Sequence, residues 1–87
     1  MPTEQTFGEL LKKFRVEAGL GMREMARCSY IDSSYYSKIE KGQLGPPATR
    51  KKIERIIAPL ELSEQDTKKL LVLALKYQIA VATKKLK

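Results

Sequence analysis

Residues 22–42, MREMARCSYIDSSYYSKIEKG, decide the fold, because they contain two short helices joined by a tight connection. Apolar and small residues that recur at three- and four-residue spacing predict a first helix over 22–28. Asp32 is a good N-cap for a second helix over 33–41, since its carboxylate can accept the free amide groups of the first turn. Gly42 ends that helix, because glycine readily adopts the left-handed conformation that follows a helix.

The second of these helices has one strongly polar face. Tyr36 and Ile39 point to one side, and Glu40 lies toward that side as well. The opposite arc has no carboxylate and is made of Ser33, Ser34, Ser37, Lys38 and Lys41. A helix with such a face can approach a polyanion closely, as the second helix of a helix-turn-helix does in the DNA major groove. An ordinary solvated face is the alternative interpretation.

Residues 20–42 resemble the helix-turn-helix of the lambda-repressor-like (Cro/C1, or XRE) regulators. The matching residues are Glu24-Met25-Ala26, Ile31 and SYYSKIEKG at 34–42, where the family pattern reads roughly S-Y-[IL]-S-[KR]-[IL]-E-[KR]-G. The resemblance extends through Phe7–Arg15 and Pro47–Leu62, so it covers about 6–62. It implies an all-α fold and a regulator that binds double-stranded DNA.

Two positions depart from the family pattern. The family commonly has glutamine at the start of the first motif helix, where it bonds a phosphate, and this chain has Met22. The family usually has glycine in the turn, and this chain has Tyr30. Either Tyr30 must tolerate the conformation of that turn, or the turn is reshaped.

Composition indicates one small, soluble, folded domain. The chain has 87 residues, 43% of them apolar, and lacks an apolar run of about 18 residues that could span a membrane. We find no signal-peptide pattern at the N-terminus, and one cysteine cannot build a disulfide framework, so we expect a cytoplasmic protein. That cysteine, Cys28, takes an outward position; a redox role is possible, but a lone thiol is usually inert.

The charge favours an anionic partner. The net charge of +7 arises from 17 basic and 10 acidic side chains, and residues 49–87 hold ten of the basic and four of the acidic ones. Nucleic acid is the first partner that such a balance suggests, and a membrane surface is a distant second. Without histidine, a cysteine pair or a glycine-rich phosphate loop, we expect no enzyme, metal, cofactor or small-molecule ligand.

Periodicity predicts a compact five-helix fold, with helices over 6–18, 22–28, 33–41, 47–58 and 64–83. Residues 1–87 form one domain, with 6–62 as the family core and 63–87 as a C-terminal helix. Thr6 with Glu9 forms a capping box, Ser63 caps the last helix, and Pro47 suits the first turn of the fourth. The predicted core outside the motif is Phe7, Leu10, Leu11, Phe14, Ala18, Ile53, Ile56, Ile57, Leu60, Leu70, Ala74, Tyr77 and Val81. Arg15, like Lys12 and Lys13, is predicted to be solvated.

The last helix is apolar on more than one face. Packing on the first and fourth helices would leave a stripe partly bare: Leu71, Val72, Leu75 and Ile79. Soluble proteins avoid such a surface, so we expect these residues to form a two-fold dimer interface. The alternative is that a five-helix core buries most of them.

The resemblance implies that base edges are read by Ser33, Ser34, Ser37 and Lys38, and that Arg23, Lys41 and Gln43 meet the phosphate backbone. Tyr35, at the edge of the polar arc, could also bond a phosphate. Arg50 and Lys51 lie near a helix N-terminus, where the helix dipole disfavours cations; phosphate contact would explain them, and a solvated helix surface is the alternative. Lys38 can reach guanine, but serine reads bases weakly, so specificity would also depend on DNA shape or on the loop.

Two functions remain in view. The first is a sequence-specific DNA-binding regulator, most simply a repressor, that acts as a homodimer. The second is a protein-interaction module on the same fold, such as an antitoxin-like protein that binds a toxin. Met22, Tyr30 and the serine-rich face motivate the second, and the two functions can coexist.

Overall fold

The computed structural model describes the backbone of residues 5–85 and the side chains of residues 5–82. Five α-helices and a 3-10 turn follow one another: α1 Phe7–Glu17, α2 Met22–Cys28, α3 Ser33–Glu40, α4 Arg50–Ile57, the turn Ala58–Leu60, and α5 Glu64–Lys85. The predicted all-α fold is confirmed. Apart from the start of α4, each predicted helix bound agrees to within two residues.

The predicted caps are formed. Thr6 Oγ1 accepts from the amide of Glu9 at 3.1 Å, and the Glu9 carboxylate accepts from the amide of Thr6 at 2.9 Å, which completes the capping box of α1. The carboxylate of Asp32 accepts from the amide of Tyr35 at 3.1 Å and begins α3. Ser63 Oγ accepts from the amide of Asp66 at 3.2 Å and begins α5. Local sequence therefore determines where these three helices begin.

Helix α4 begins later than predicted. Pro47 is buried before the helix rather than in its first turn, and Thr49 is the N-cap, because its hydroxyl accepts from the amide of Lys52 at 3.3 Å. Arg50 and Lys51 are consequently the first two residues of α4. They lie immediately beside the loop of residues 41–49, which we call the α3–α4 loop.

One apolar core joins the five helices. Its members are Phe7, Leu10, Leu11, Phe14, Met25, Ala26, Tyr36, Ile39, Ile53, Ile56, Ile57, Leu60, Leu70 and Ala74. The predicted core is confirmed except at three residues. Ala18 is exposed, because it is already the C-cap of α1; Tyr77 is 46% exposed; and Val81 is only half-buried. At residues 77–81, α5 has passed the end of the core, so its inner face is only partly covered.

Helix α5 is long, at 22 residues, but polar side chains interrupt it. Within the described residues, no helix combines the length and apolar character that crossing a membrane requires.

Candidate nucleic-acid interface

Helix α3 exposes its predicted serine–lysine face. Ser33, Ser34 and Lys38 are exposed, and Ser37 is half-buried. On the other side, Tyr36 and Ile39 are completely buried against α1 and α2. The helix is therefore held by one side and free on the other.

The carboxylate of α3 does not reach this free face. Glu40 turns inward and forms a two-pronged ion pair with Arg15 of α1, with Nε to Oε2 at 2.8 Å and a terminal nitrogen to Oε1 at 2.9 Å. The other terminal nitrogen of Arg15 donates to the carbonyl oxygen of Leu20 at 2.7 Å. The side chains of Arg15 and Glu40 are only 10% and 1% exposed, so the prediction that Arg15 is solvated is wrong.

This ion pair explains the charge of the exposed face. A buried carboxylate needs a cationic partner, and Arg15 supplies it with two parallel hydrogen bonds. Those bonds hold the pKa of Arg15 above its ordinary value, although burial opposes the shift. With Glu40 neutralised inside the protein, the outer face of α3 carries only hydroxyls and the cationic Lys38.

Tyr36 lies beside the same ion pair. Its hydroxyl is buried, and no residue from 5 to 85 offers it hydrogen-bonding geometry. Burial raises the pKa of Tyr36 well above its ordinary value, and the nearby Glu40 carboxylate raises it further. Tyr36 therefore stays neutral and serves as an apolar anchor for α3, as the sequence predicted.

Helices α1 and α3 touch through a glycine. A Cβ atom on Gly8 would lie 2.5 Å from the carbonyl oxygen of Ile39 and 2.6 Å from that of Glu40. Because these are backbone atoms, only glycine permits this approach. Gly8 and Arg15 thus fix the C-terminal end of α3 at two points along α1.

The turn between α2 and α3 keeps its left-handed conformation without glycine. Tyr30 has a φ of +58°, and the residue is 83% exposed. The turn is therefore tolerated rather than reshaped, at the backbone cost that an L-residue incurs in this region. The aromatic ring projects from the surface directly before α3.

Gly42 ends α3 as predicted, with a φ of +81°. After it, the amides of Gln43 and Leu44 both donate to the carbonyl oxygen of Lys38, at 2.9 and 3.1 Å, so the start of the α3–α4 loop folds back on the helix. Most of the predicted phosphate-binding side chains are exposed: Arg23, Lys41, Gln43, Arg50 and Lys51. Arg50 pairs with Glu54 at 3.1 Å, but the pair is exposed and weak, so a phosphate could displace it.

Tyr35 is half-buried and packs against the core. It lines a cleft of about 330 Å³ between the α2–α3 turn and α4, together with Tyr30, Lys52 and Arg55. The predicted site does not include Lys52 and Arg55. Their basic character was visible, but only the packing of α4 beside the turn brings them to these aromatic rings.

No cluster of histidine, cysteine, aspartate or glutamate that could hold a metal ion is found in the described part of the chain. Cys28 is exposed on α2, as its outward position predicted.

Two short helices with an exposed second helix, supported by three further helices, form the architecture of a helix-turn-helix protein. The chain belongs to the helix-turn-helix domain family, whose model matches residues 8–76. The predicted resemblance to Cro/C1-type regulators is thereby confirmed.

Two solved structures are similar to this chain. The wild-type restriction-modification controller protein C.Esp1396I has 29% sequence identity and a TM-score of 0.64, over 79% of this chain and 88% of that one. The clp gene regulator ClgR from Corynebacterium glutamicum has a TM-score of 0.63 over 91% of this chain and 79% of that one. At 23% identity, the likeness to ClgR concerns the fold alone. The comparison with curated proteins gives no match.

Proposed function

We propose that this protein is a transcription regulator that binds double-stranded DNA and inserts α3 into the major groove. The observation that carries the proposal is the inward turn of Glu40 onto Arg15. It frees the outer face of α3 from negative charge and leaves Ser33, Ser34 and Lys38 exposed. A scaffold that neutralises the acid of one helix while exposing its cation suits a polyanionic partner.

The exposed basic residues on either side of α3 support the same docking. Arg23 at the start of α2 would meet the backbone on one side of the groove, since the first helix of the motif crosses the phosphates. Lys41, Gln43, Arg50 and Lys51 would meet it on the other side. Lys38, Ser33, Ser34 and Ser37 would face base edges, where lysine selects guanine and serine discriminates weakly.

The proposal includes a homodimer formed through α5. Val72, Leu75 and Ile79 are 50%, 56% and 58% exposed. Leu71 is half-buried, and with Leu75 it borders a cleft of about 190 Å³ between α4 and α5. A second copy would cover this stripe with its own apolar side chains, and the two α3 helices would then read half-sites about 34 Å apart.

Repression is the simplest action for such a dimer, because occupancy of an operator excludes other proteins from the same DNA. The similarity to a restriction-modification controller agrees with a regulatory role of this kind.

The deciding experiment is selection of bound duplexes from a random pool, followed by affinity measurements on the selected site. We expect a roughly palindromic site. Lys38→Ala should change the ranking of operator variants, whereas Arg50→Ala should weaken all duplexes alike and lower the salt dependence. If the pool yields no site, and the chain retains no duplex even at low salt, DNA binding is excluded.

A protein-interaction module is the second candidate, and the exposed ring of Tyr30 favours it. An exposed aromatic side chain in a left-handed backbone conformation, beside the cleft that Tyr35 also lines, is unusual on a surface with no binding partner. Capture of a stoichiometric protein partner, lost with Tyr30→Ala while duplex binding persists, would show that the two functions coexist.

A further inference from the structure

Helix α5 contacts the α3–α4 loop through two consecutive residues, Tyr77 and Gln78. Nε2 of Gln78 donates to the carbonyl oxygens of Pro47 and Ala48, at 3.3 and 3.2 Å. The ring of Tyr77 lies directly against Gly45, so that a Cβ atom at Gly45 would overlap it. These two consecutive residues of α5 therefore reach the middle of the loop.

The two ends of the loop are secured by other elements. Its start folds onto Lys38 of α3 through the amides of Gln43 and Leu44, and its end caps α4 through Thr49. The loop borders a cleft of about 300 Å³, which is lined in part by Phe7, Leu44 and Tyr77, so side chains do not pack closely there. Between these ends, Tyr77 and Gln78 of α5 contact the loop at Gly45, Pro47 and Ala48, and they add to the burial of Pro47 in fixing its position.

We infer that Tyr77 and Gln78 are positioning residues for DNA binding, which hold the α3–α4 loop against the phosphate backbone. This inference rests on the proposed function, because Lys41, Gln43, Arg50 and Lys51 are phosphate contacts only if the protein binds a duplex. Gln78 donates hydrogen bonds to two backbone carbonyl oxygens just before α4 begins, and so fixes the backbone that leads to Arg50. A loop without these contacts must be ordered when DNA binds, which lowers affinity.

The test uses substitutions with matched controls in the full chain. Gln78→Met removes the donor while keeping length and charge, and Gln65→Met makes the same change at an exposed position elsewhere on α5. Tyr77→Ala removes the ring, whereas Tyr77→Phe keeps it. Gly45→Ala displaces the Tyr77 ring through a change in the loop, and the sequence of α5 is unaltered. This variant therefore still tests the contact if an α5 variant folds poorly.

Two measurements separate positioning from general destabilisation. In the free protein, Gln78→Met, Tyr77→Ala and Gly45→Ala should speed hydrogen exchange at the loop amides, with little change at those of α1 and α2. On a duplex, the same three variants should bind roughly tenfold more weakly. Their dependence of log affinity on log salt should also become shallower by about one for each lost phosphate contact. Gln65→Met and Tyr77→Phe should match the wild type.

The outcomes are distinct. If the wild type binds duplexes and the three variants keep its affinity and salt dependence, the inference is wrong and the proposed function stands. If the wild type binds no duplex, the proposed function fails, and the inference fails with it.

Discussion

Arg15 and Glu40, 25 positions apart in the chain, form a buried two-pronged ion pair that joins α1 to the last turn of α3. Removal of one partner leaves the other charged and buried, which typically costs about 3–5 kcal/mol. We therefore expect Glu40→Gln to lower the free energy of unfolding by about that amount, because an uncharged amide cannot neutralise Arg15.

The measurement is urea unfolding followed by circular dichroism. The double variant Arg15→Met with Glu40→Leu should recover most of the loss, because it removes both charges and retains apolar volume. An effect of Glu40→Gln below about 1 kcal/mol would show that water reaches the guanidinium group and that the pair is not a structural anchor.

The pH dependence of stability should reveal the raised pKa of Tyr36. Its pKa is raised in the folded state, so its contribution to stability is fully present below about pH 10, the ordinary pKa of tyrosine. As pH rises above that value, the unfolded chain loses the proton while the folded chain keeps it, and stability falls. Tyr36→Phe should be nearly neutral at pH 7, because the hydroxyl has no hydrogen-bonding partner among residues 5–85.

The check is the midpoint of urea unfolding from pH 7 to pH 11 for both proteins. The charged neighbours of position 36, Glu40 and Arg15, are present in both proteins, so the comparison isolates the Tyr36 hydroxyl as the one titrating group that differs. The wild type should lose more stability than Tyr36→Phe above pH 10. Parallel curves would mean that Tyr36 ionises in the folded protein.

Gly8 should tolerate no side chain. Gly8→Ala places a Cβ atom against the carbonyl oxygens of Ile39 and Glu40 and should cost about 1–3 kcal/mol, despite the better helix propensity of alanine. Gly21→Ala is the control for adding a Cβ atom, because a Cβ atom there meets no heavy atom within 4 Å and the backbone φ is negative; it should cost less than Gly8→Ala, even though alanine is a poorer N-cap than glycine for α2. Equal unfolding midpoints for the two variants would contradict the close approach of α1 to α3.

Local signals in the sequence identified the helices and their caps. Thr6, Asp32, Ser63 and Gly42 act through groups within a few residues of themselves, so a linear reading suffices for them. The start of α4 is the exception: Pro47 suits the first turn of a helix, but α4 begins at Arg50 with Thr49 as its N-cap. The serine–lysine face of α3 was also predictable, because exposure on a short amphipathic helix follows from its angular position.

Long-range partners were not predictable in the same way. Glu40 was expected to lie toward the buried side, but nothing local distinguishes Arg15 from Lys12 and Lys13 as its partner. Likewise, Tyr77 and Gln78 reach the α3–α4 loop only because α5 runs beyond the core, about 30 positions from the carbonyl oxygens that Gln78 binds. Such contacts depend on how the helices cross, which a single sequence does not state.

Relief of backbone strain should stabilise the turn before α3. Tyr30 has a positive φ, which costs an L-residue about 1–2 kcal/mol, and its exposed ring contributes little packing. Tyr30→Gly should therefore raise the unfolding midpoint, with a gain of up to about 1 kcal/mol after the added flexibility of the unfolded chain is counted. Tyr30→Ala keeps the strained conformation and should give no gain, so equal midpoints for glycine and alanine would show that the strain is absent.

A charge on α5 should separate the proposed dimer into monomers. Leu75 is 56% exposed beside the cleft between α4 and α5, and Leu75→Glu would place two carboxylates in the apolar contact of a two-fold dimer. Val16→Glu is the matched control, because Val16 is a comparably exposed apolar residue on α1 and the change in net charge is the same. Sedimentation should show a dimer for the wild type and Val16→Glu but a monomer for Leu75→Glu, and only Leu75→Glu should lose the preference for two half-sites over one. The α5 dimer would be excluded if the wild type sediments as a monomer at all concentrations and also binds paired half-sites no better than single ones.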